Sequence, residues 1–455
     1  MSKVLFDQFE AVSAKAWKQK IQLDLKGADY NETLIWNSLE GIDVKPFYNS
    51  EDLKGKDSFK TSPISAWKIC QDILVSDEKI ANSFAKNVID KGAESIRFII
   101  PSKETNIAAL LADVDVPVYI DPKFLSVDFV KSLNDYVSYN NLEVYLETDI
   151  IGNLARTGNW YFNLKQDHLL LEEIAKNSNH LKSWLSIDIS LYQNSGAKSI
   201  QQLAYALSHV NEYLNHFGEN ISKSIVFKNA IGSNYFFEIA KLKVVRVLWD
   251  SLVTEYTDQQ IKCIITTKPS TRNKTLYDYN TNLLRTTTEC MSAILGGADT
   301  VCNLPYDAVY HKENEFGERI ARNQLLILKH ESYFDQVFNP TDGTYYIEEL
   351  TSQIATKSLA LFKNIETNGG FLKQLKEGTI QRKIKESANR EQELFDEGKI
   401  VLLGTNKYQN EKDLMKAEVE ISPFIKKEIR KTLIEPIIEK RLSEKMENNR
   451  LNNEQ

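Results

Sequence analysis

Short apolar runs alternate along the chain with longer segments of mixed polarity. Several of the runs are apolar on both faces, as buried parallel strands require. The intervening segments space their apolar residues as helices do, most clearly over 77–91, 199–217 and 235–252. Eight β-then-α units predict an α/β fold, a (β/α)8 TIM barrel over roughly 65 to 330. The eight predicted strands are 67–74, 96–100, 116–120, 142–147, 184–189, 224–227, 262–266 and 300–303.

An N-terminal arm, residues 1–62, precedes the predicted barrel. It contains one amphipathic helix candidate and then an extended stretch through residues 34–48. The arm is rich in aromatic residues but too short for a core of its own. We therefore expect it to pack on its own barrel or on a partner chain. The residues on one face of the helix candidate are Phe6, Phe9, Val12, Ala16 and Trp17.

Three further segments complete the predicted organisation. The barrel is assigned to residues 63–345, and a helical extension packed on it to residues 346–410. Within that extension, residues 400–403 form a short strand candidate. Residues 411–455 are predicted to be a charged helical tail, either solvated or docked.

Composition excludes several classes of protein. The chain has 455 residues, 42% of them hydrophobic and 26% charged, which is ordinary for a globular protein. A net charge of -7 argues against a nucleic-acid or anionic-membrane surface. No signal peptide and no run of about 18 apolar residues is found, so we expect a cytoplasmic protein. The cysteines form no CxxC pair and are expected to be reduced and buried: Cys70, Cys263, Cys290 and Cys302.

Three passages in the second half of the chain resemble methylmalonyl-CoA mutase. Residues 229–249 read NAIGSNYFFEIAKLKVVRVLW, similar to the family's GxNxF[FM]xEIAKLRAxRxLW segment. LRTTTE at 284–289 and ILGG at 294–297 are similar to VRTTxExxxAxLGG. RIARNQLLIL at 319–328, followed by DGTYY at 342–346, resembles IARNxQxILxxES and DPxxGSYYxE.

Three other segments extend the resemblance over nearly the whole chain. DLKGADY at 24–30 and EGIDVKPFY at 40–48 look like the small subunit of the bacterial heterodimeric enzymes in this family. Residues 398–408 are similar to the family's GVNKY-type segment.

The resemblance implies a fold and a reaction. Catalytic chains of the family thread the CoA thioester through a (β/α)8 barrel and carry a cobalamin-binding α/β domain after it. They interconvert methylmalonyl-CoA and succinyl-CoA by a radical rearrangement, a step in propionate metabolism. Adenosylcobalamin supplies the radical, and the protein supplies binding, orientation and exclusion of water.

The chain departs from the catalytic pattern at the cofactor site. The family's cobalt-ligating histidine stands in Asp-x-His-x-x-Gly, and none of the six histidines here has that context. Asp167-His168 is the nearest match, with the wrong spacing. About 50 residues follow Tyr408, too few for a cobalamin domain. We expect no cobalamin-binding domain and no cofactor on this chain.

The mouth of the predicted barrel departs from the pattern as well. SIDISLYQNSG at 186–196 stands where catalytic chains read SISGYHMQEAG, and IITTKPST at 264–271 replaces RTHSQTSG. The tyrosine-bearing segment RGPYPxMY is missing between Leu53 and Trp67. A leucine in place of histidine cannot donate a hydrogen bond to a thioester carbonyl. The positions at which catalytic-chain residues are lost are Leu191 (His), Ile264 (Arg), Thr266 (His) and Lys268 (Gln).

Two weak site candidates remain. Arg156 falls near an arginine that catalytic chains use on the substrate carboxylate, although a salt bridge at the mouth explains it equally. Lys228 ends the sixth predicted strand, where some barrel aldolases carry a Schiff-base lysine. A solvent-facing or ion-paired lysine is the simpler interpretation. Two residue pairs, Glu143 with Glu147 and His209 with His216, are expected to be structural rather than a carboxylate pair or metal ligands.

The leading hypothesis is therefore a non-catalytic small subunit of a heterodimeric methylmalonyl-CoA mutase. The chain would belong to an isomerase yet be inactive alone, with adenosylcobalamin bound by the large (alpha) subunit. The alternatives are a stand-alone barrel enzyme with a re-used mouth and a scaffold that binds CoA esters without chemistry.

Overall fold

Eight parallel strands form a barrel in the middle of the chain. The computed structural model describes residues 9–10, 12–53, 66–425 and 430–454. A two-stranded antiparallel hairpin, β1 (Trp36–Asn37) and β2 (Asp43–Val44), precedes the barrel. Each of the eight predicted strands is present, so the predicted TIM-barrel fold is confirmed. The barrel strands are β3 (Lys68–Leu74), β4 (Ser95–Ile100), β5 (Val118–Pro122), β6 (Val144–Leu146), β7 (Leu185–Asp188), β8 (Ile225–Ile231), β9 (Cys263–Pro269) and β10 (Thr300–Cys302).

The strands pair in the order β6-β5-β4-β3-β10-β9-β8-β7, and all of these pairs are parallel. Residues just before β7 close the ring onto β6. The Lys182 N–H donates to the Val144 carbonyl at 2.8 Å, and the Leu146 N–H donates to the Ser183 carbonyl at 2.9 Å. Carboxyl ends of parallel strands meet at one end of a barrel, which we call the mouth.

Helices connect successive strands and surround the barrel. Asparagine, aspartate or serine caps several of them, since these side chains accept a hydrogen bond from the first turn. α13 packs on α9 and α10 outside the barrel. The helices in the described residues are α1 (Ala14–Asp24), α2 (Tyr30–Leu34), α3 (Glu78–Asp90), α4 (Ile107–Leu110), α5 (Val127–Asn140), α6 (Ile150–Thr157), α7 (Leu164–Lys176), α8 (Ser190–Asn194), α9 (Ser199–Phe217), α10 (Tyr235–Val253), α11 (Thr281–Leu295), α12 (Glu315–His330), α13 (Tyr345–Thr367), α14 (Gly370–Lys376), α15 (Thr379–Asp396) and α16 (Glu444–Asn453). In these parts of the chain no helix is both long and apolar enough to cross a membrane.

The N-terminal arm divides into a docked part and an exposed part. Residues 36–48 lie on the chain's own barrel. There Ile42 is 1% exposed, and the Glu40 carboxylate accepts from the first two N–H groups of α9 at 2.7 and 3.1 Å. α1 buries none of its residues. The predicted helix begins only at Ala14, and its expected member Phe6 lies outside the described residues.

The end of the chain differs from the prediction. Residues 400–403 form no strand, because only an isolated bridge joins Leu403 to Lys407. Among the tail residues that the structure describes, only α16 is helical. Residues 430–443 form neither helix nor strand, and several of their backbone N–H groups donate to the loops of the barrel mouth. We call residues 430–443 the strap.

Candidate functional site

Six charged side chains meet inside the barrel. Five of them lie on barrel strands, and the sixth, Glu147, directly follows β6. Strands β5 and β8 are not neighbours, yet the Lys228 ammonium on β8 donates to the Asp121 carboxylate on β5 at 2.7 Å. Such a contact is possible only across the barrel axis. The six residues, which we call the axial charge cluster, are Asp72, Arg97, Asp121, Glu147, Lys228 and Lys268.

Glu147 is central in the cluster. Its side chain is fully buried and accepts two hydrogen bonds from the Arg97 guanidinium, at 2.9 and 3.1 Å. It also pairs with the Lys228 ammonium at 3.2 Å. A buried carboxylate is tolerated only when its lone pairs are occupied in this way.

The remaining members complete a continuous chain of ion pairs. Asp72 pairs with Arg97 at 3.3 Å and with Lys268 at 2.8 Å. Asp121 pairs with Lys228 and, at 2.9 Å, with the half-exposed Lys123. Every carboxylate of the cluster therefore faces two cations.

Electrostatics keep these groups ionised. Burial alone would lower the pKa of Lys228, but the carboxylates of Asp121 and Glu147 outweigh it and raise that pKa above its ordinary range. Burial alone would raise the pKa of Asp72, but Lys268 and Arg97 hold it well below its usual range. Lys228 is thus a cation and lacks the free amine that a Schiff-base nucleophile needs.

A second layer of side chains closes the barrel axis below the charges. The Tyr119 and Tyr145 rings stack with their centroids 4.9 Å apart, and Arg97 lies over the Tyr119 ring. The Tyr119 hydroxyl is hydrogen-bonded to the Thr300 hydroxyl at 2.9 Å. Cys70, Val226 and Cys302 pack in the same cluster with partly buried Ile264.

A cavity of about 750 Å³ opens at the amino-terminal end of the strands, opposite the mouth. It ends against the tyrosine layer. Its lining includes Tyr119, Tyr145 and Ile264 at the barrel axis and Lys68, Lys182 and Lys262 further out.

The four positions of expected loss lie in or beside the barrel. Leu191 on α8 is 1% exposed and belongs to the main apolar core. Ile264 lies in the tyrosine layer, and Thr266 above it on β9 is buried. Lys268 is occupied by its ion pair with Asp72.

Arg156 lies at the mouth. One guanidinium nitrogen donates to the Asp188 carboxylate at the end of β7, at 2.7 Å, and the other donates to Glu439 of the strap at 2.9 Å. Burial alone would lower the pKa of Arg156, but these two carboxylates raise it. Arg156 is therefore an ion-paired residue that connects a barrel strand to the strap.

The other pairs considered from sequence are separated or already bonded. Glu143 accepts from the Tyr145 hydroxyl at 2.7 Å, away from Glu147 in the charge cluster. His209 is fully buried, and its two nitrogens face Asp149 and the Tyr192 hydroxyl, each at 2.9 Å. Among the described residues no group of three or more His, Cys, Asp or Glu side chains could hold a metal ion.

Sequence reasoning missed Asp72, Arg97, Asp121 and Asp188. A signal was present, because charged residues inside otherwise apolar strands, as in KICQDIL and SIRFII, are rare unless they are paired. Only the barrel geometry shows that the charges of different strands neutralise one another.

Comparisons with known proteins agree with these features. The family model described as methylmalonyl-CoA mutase matches residues 123–453. The chain is 33% identical to the methylmalonyl-CoA mutase small subunit of Porphyromonas gingivalis, over 89% of this chain and 71% of that protein. It is 29% identical to the methylmalonyl-CoA mutase of Cereibacter sphaeroides and 26% identical to that of Escherichia coli K12, and it spans 64% of the length of each. The chain belongs to the methylmalonyl-CoA mutase family.

Proposed function

We propose that this chain is the non-catalytic small subunit of an adenosylcobalamin-dependent methylmalonyl-CoA mutase. A large subunit would interconvert methylmalonyl-CoA and succinyl-CoA, and this chain would support it without turnover of its own. The similarity to a protein named methylmalonyl-CoA mutase small subunit favours this role. We expect the complex to act in the cytoplasm, in propionate metabolism.

The filled barrel axis is the observation that carries the proposal. A thioester that passed along the axis would have to displace the axial charge cluster and the Tyr119–Tyr145 stack. Removing one member of the cluster leaves an uncompensated buried charge, which costs about 3 to 5 kcal/mol. Ligand binding would have to supply that energy in addition to its own costs.

The four positions of expected loss support the same conclusion. Leu191, Ile264 and Thr266 offer neither a cation nor an imidazole to a substrate oxygen. Lys268 is held by Asp72. A radical rearrangement of a CoA thioester needs its substrate oriented by such donors, so a barrel with these side chains suits a supporting chain better than a catalyst.

Cobalamin does not fit this chain. A corrin ring over the strand ends would need a free rim at the mouth, and the strap occupies the rim beside the ends of β6, β7 and β9. His209, a buried histidine, uses both ring nitrogens within the protein. We therefore assign adenosylcobalamin to the large subunit and derive no step through it here.

The exposed part of the arm suits a partner chain. Phe9, Val12, Trp17 and Leu23 are 74%, 69%, 53% and 73% exposed. Apolar side chains so close together on a short segment mark a protein interface more often than a free surface. We expect a large and permanent interface with the large subunit in a heterodimer.

The decisive experiment uses both chains. Each subunit is purified alone and together, and methylmalonyl-CoA isomerisation is measured with added adenosylcobalamin. We expect turnover by the large subunit or the pair and none by this chain. Turnover by this chain alone would refute the proposal, and failure of the chains to co-purify would refute the partnership.

A CoA-ester-binding scaffold is a second candidate because of the amino-terminal cavity. Lys182 and Lys262 line it and could bind phosphate groups, although the tyrosine layer stops a pantetheine arm from passing further. Calorimetric titration with CoA esters distinguishes the two: heat of binding by the isolated chain favours the scaffold, and its absence favours the structural subunit.

A stand-alone enzyme using Lys228 is the third candidate, and borohydride trapping of a lysine adduct would reveal it.

A further inference from the structure

Aromatic side chains from the arm and from two helices outside the barrel are joined by a series of ring contacts. Phe236 in the first turn of α10 contacts Tyr346 in the first turn of α13, with ring centroids 5.4 Å apart. Tyr346 in turn contacts Tyr48 of the arm at 5.2 Å. The residues of this series, which we call the aromatic strip, are Trp17, Trp36, Phe47, Tyr48, Phe236 and Tyr346.

Both ends of the aromatic strip lie on the arm. At one end Trp17 of α1 contacts Phe47, with ring centroids 6.0 Å apart. At the other end Trp36 of the hairpin packs on Phe237, the residue after Phe236, at 5.8 Å. The strip therefore joins the exposed helix α1 to the docked hairpin across the N-terminal turns of α10 and α13.

Three rings of the strip remain about half exposed in spite of these contacts. Trp17, Trp36 and Phe236 are 53%, 52% and 49% exposed. A fully covered aromatic side chain buries about 150 to 250 Å², so the three rings leave roughly 300 Å² of apolar surface uncovered. Apolar patches of about 300 to 600 Å² are the largest that typical monomers expose, and they are often binding sites.

The helix at one end of the strip lacks a surface to pack on. α1 has 11 residues and buries none of them. Isolated helices shorter than about 12 to 15 residues are marginal in water. A protein surface that covered α1 would stabilise it, and the same surface would reach the aromatic strip through Trp17.

We propose that the aromatic strip is the centre of the interface with the large subunit, and that Phe236 is an anchor residue in it. The proposal rests on the partnership proposed above and extends it from the arm onto the barrel. Protein interfaces have a centre rich in aromatic residues and a polar rim. A polar rim is present beside Tyr48, because the Lys45 ammonium lies over its ring and pairs with Asp52.

A variant and a matched control test the proposal in the full chain. Phe236→Glu places a carboxylate in the strip, in the first turn of α10, where a negative charge favours the helix. Ile80→Glu makes a comparable change in the first turn of α3, at a side chain that is 69% exposed. The strands before these two helices, β8 and β3, lie three places apart in the ring, so the control is remote from the strip.

Binding of each variant to the immobilised large subunit is measured by surface plasmon resonance, with thermal unfolding as the check on folding. We expect Phe236→Glu to weaken binding at least about tenfold, since covered aromatic anchors carry much of the binding energy of an interface. Ile80→Glu should bind within about twofold of the unmodified chain, and both variants should keep its unfolding midpoint. Equal binding by the two variants would overturn the role of the strip and leave the partnership standing. Failure of the unmodified chain to bind would overturn both proposals.

Hydrogen exchange tests the same interface without a substitution. Neither α10 nor α13 has a side-chain cap, so the amides of their first turns should exchange readily until they are covered. We expect the large subunit to protect these amides together with those of α1. Protection confined to α1 would show that the arm alone makes the contact, against the proposal.

Sedimentation of this chain alone distinguishes a second copy from the large subunit. We expect the isolated chain to sediment as a monomer with the strip uncovered. A dimer of this chain that Phe236→Glu dissociates would show that the strip binds a second copy, and the assignment to the large subunit would then be wrong.

Discussion

Glu147→Gln is the sharpest test of the axial charge cluster. The glutamate side chain is fully buried and carries the bidentate bond from Arg97 and the pair with Lys228. The substitution keeps the shape and removes the charge. Of these ion-pair partners Arg97 then retains Asp72, and Lys228 retains Asp121, with side chains that are only 7% and 17% exposed.

We expect Glu147→Gln to lower the free energy of unfolding by about 3 kcal/mol. Breaking a buried ion pair costs about 3 to 5 kcal/mol, and the lower end applies because both cations keep one partner. The matched control is Lys123→Met, which removes the half-exposed cation on Asp121. That change should cost less than about 1 kcal/mol.

Urea unfolding followed by tryptophan fluorescence measures both variants. The double variant Glu147→Gln with Lys228→Met removes one charge of each sign, so it should recover about 1 kcal/mol or more of the summed single losses. A Glu147→Gln variant no less stable than Lys123→Met would refute the reasoning. The interior charges would then be hydrated, and the barrel axis would be open to a ligand.

Three further predictions follow from the contacts described above. Asp72 and Asp188 have pKa values that are lowered in the folded chain, so both carboxylates stabilise the fold fully above their unfolded pKa of about 4. That stabilisation is lost as the pH falls below this value. The free energy of unfolding, measured as a function of pH, should therefore fall in acid, and the fall should be smaller in Asp72→Asn. Gly158→Ala should cost about 1 to 3 kcal/mol, because φ is positive and the added Cβ meets the strap, and thermal unfolding measures it. Glu40→Ala should remove about 1 kcal/mol of capping from α9 and speed proteolysis of the arm, whereas an unchanged rate would show that the arm is held by its apolar contacts alone.

The hydrophobic periodicity of the sequence was sufficient to predict the barrel. All eight strand predictions overlap observed strands, since a run buried on both faces has few other solutions. The tail was predicted less well. Its composition resembles that of a helix, but Pro436 and the carbonyls at the mouth favour the irregular strap over a helix between residues 430 and 443.

The site was only partly predictable. Lys228 and Arg156 were recognised at the mouth, but their roles depended on partners far away in sequence, Asp121 and Glu439. No local pattern links residues separated by more than 100 positions.

The sequence by itself determined the family and the order of the strands, and it predicted which catalytic-chain residues are missing. These features depend on identity and spacing along one dimension. The tertiary structure decided what occupies the space where a substrate would pass. Charges that look isolated in six separate strands neutralise one another only when the ring closes, because burial makes each of them costly without its partner.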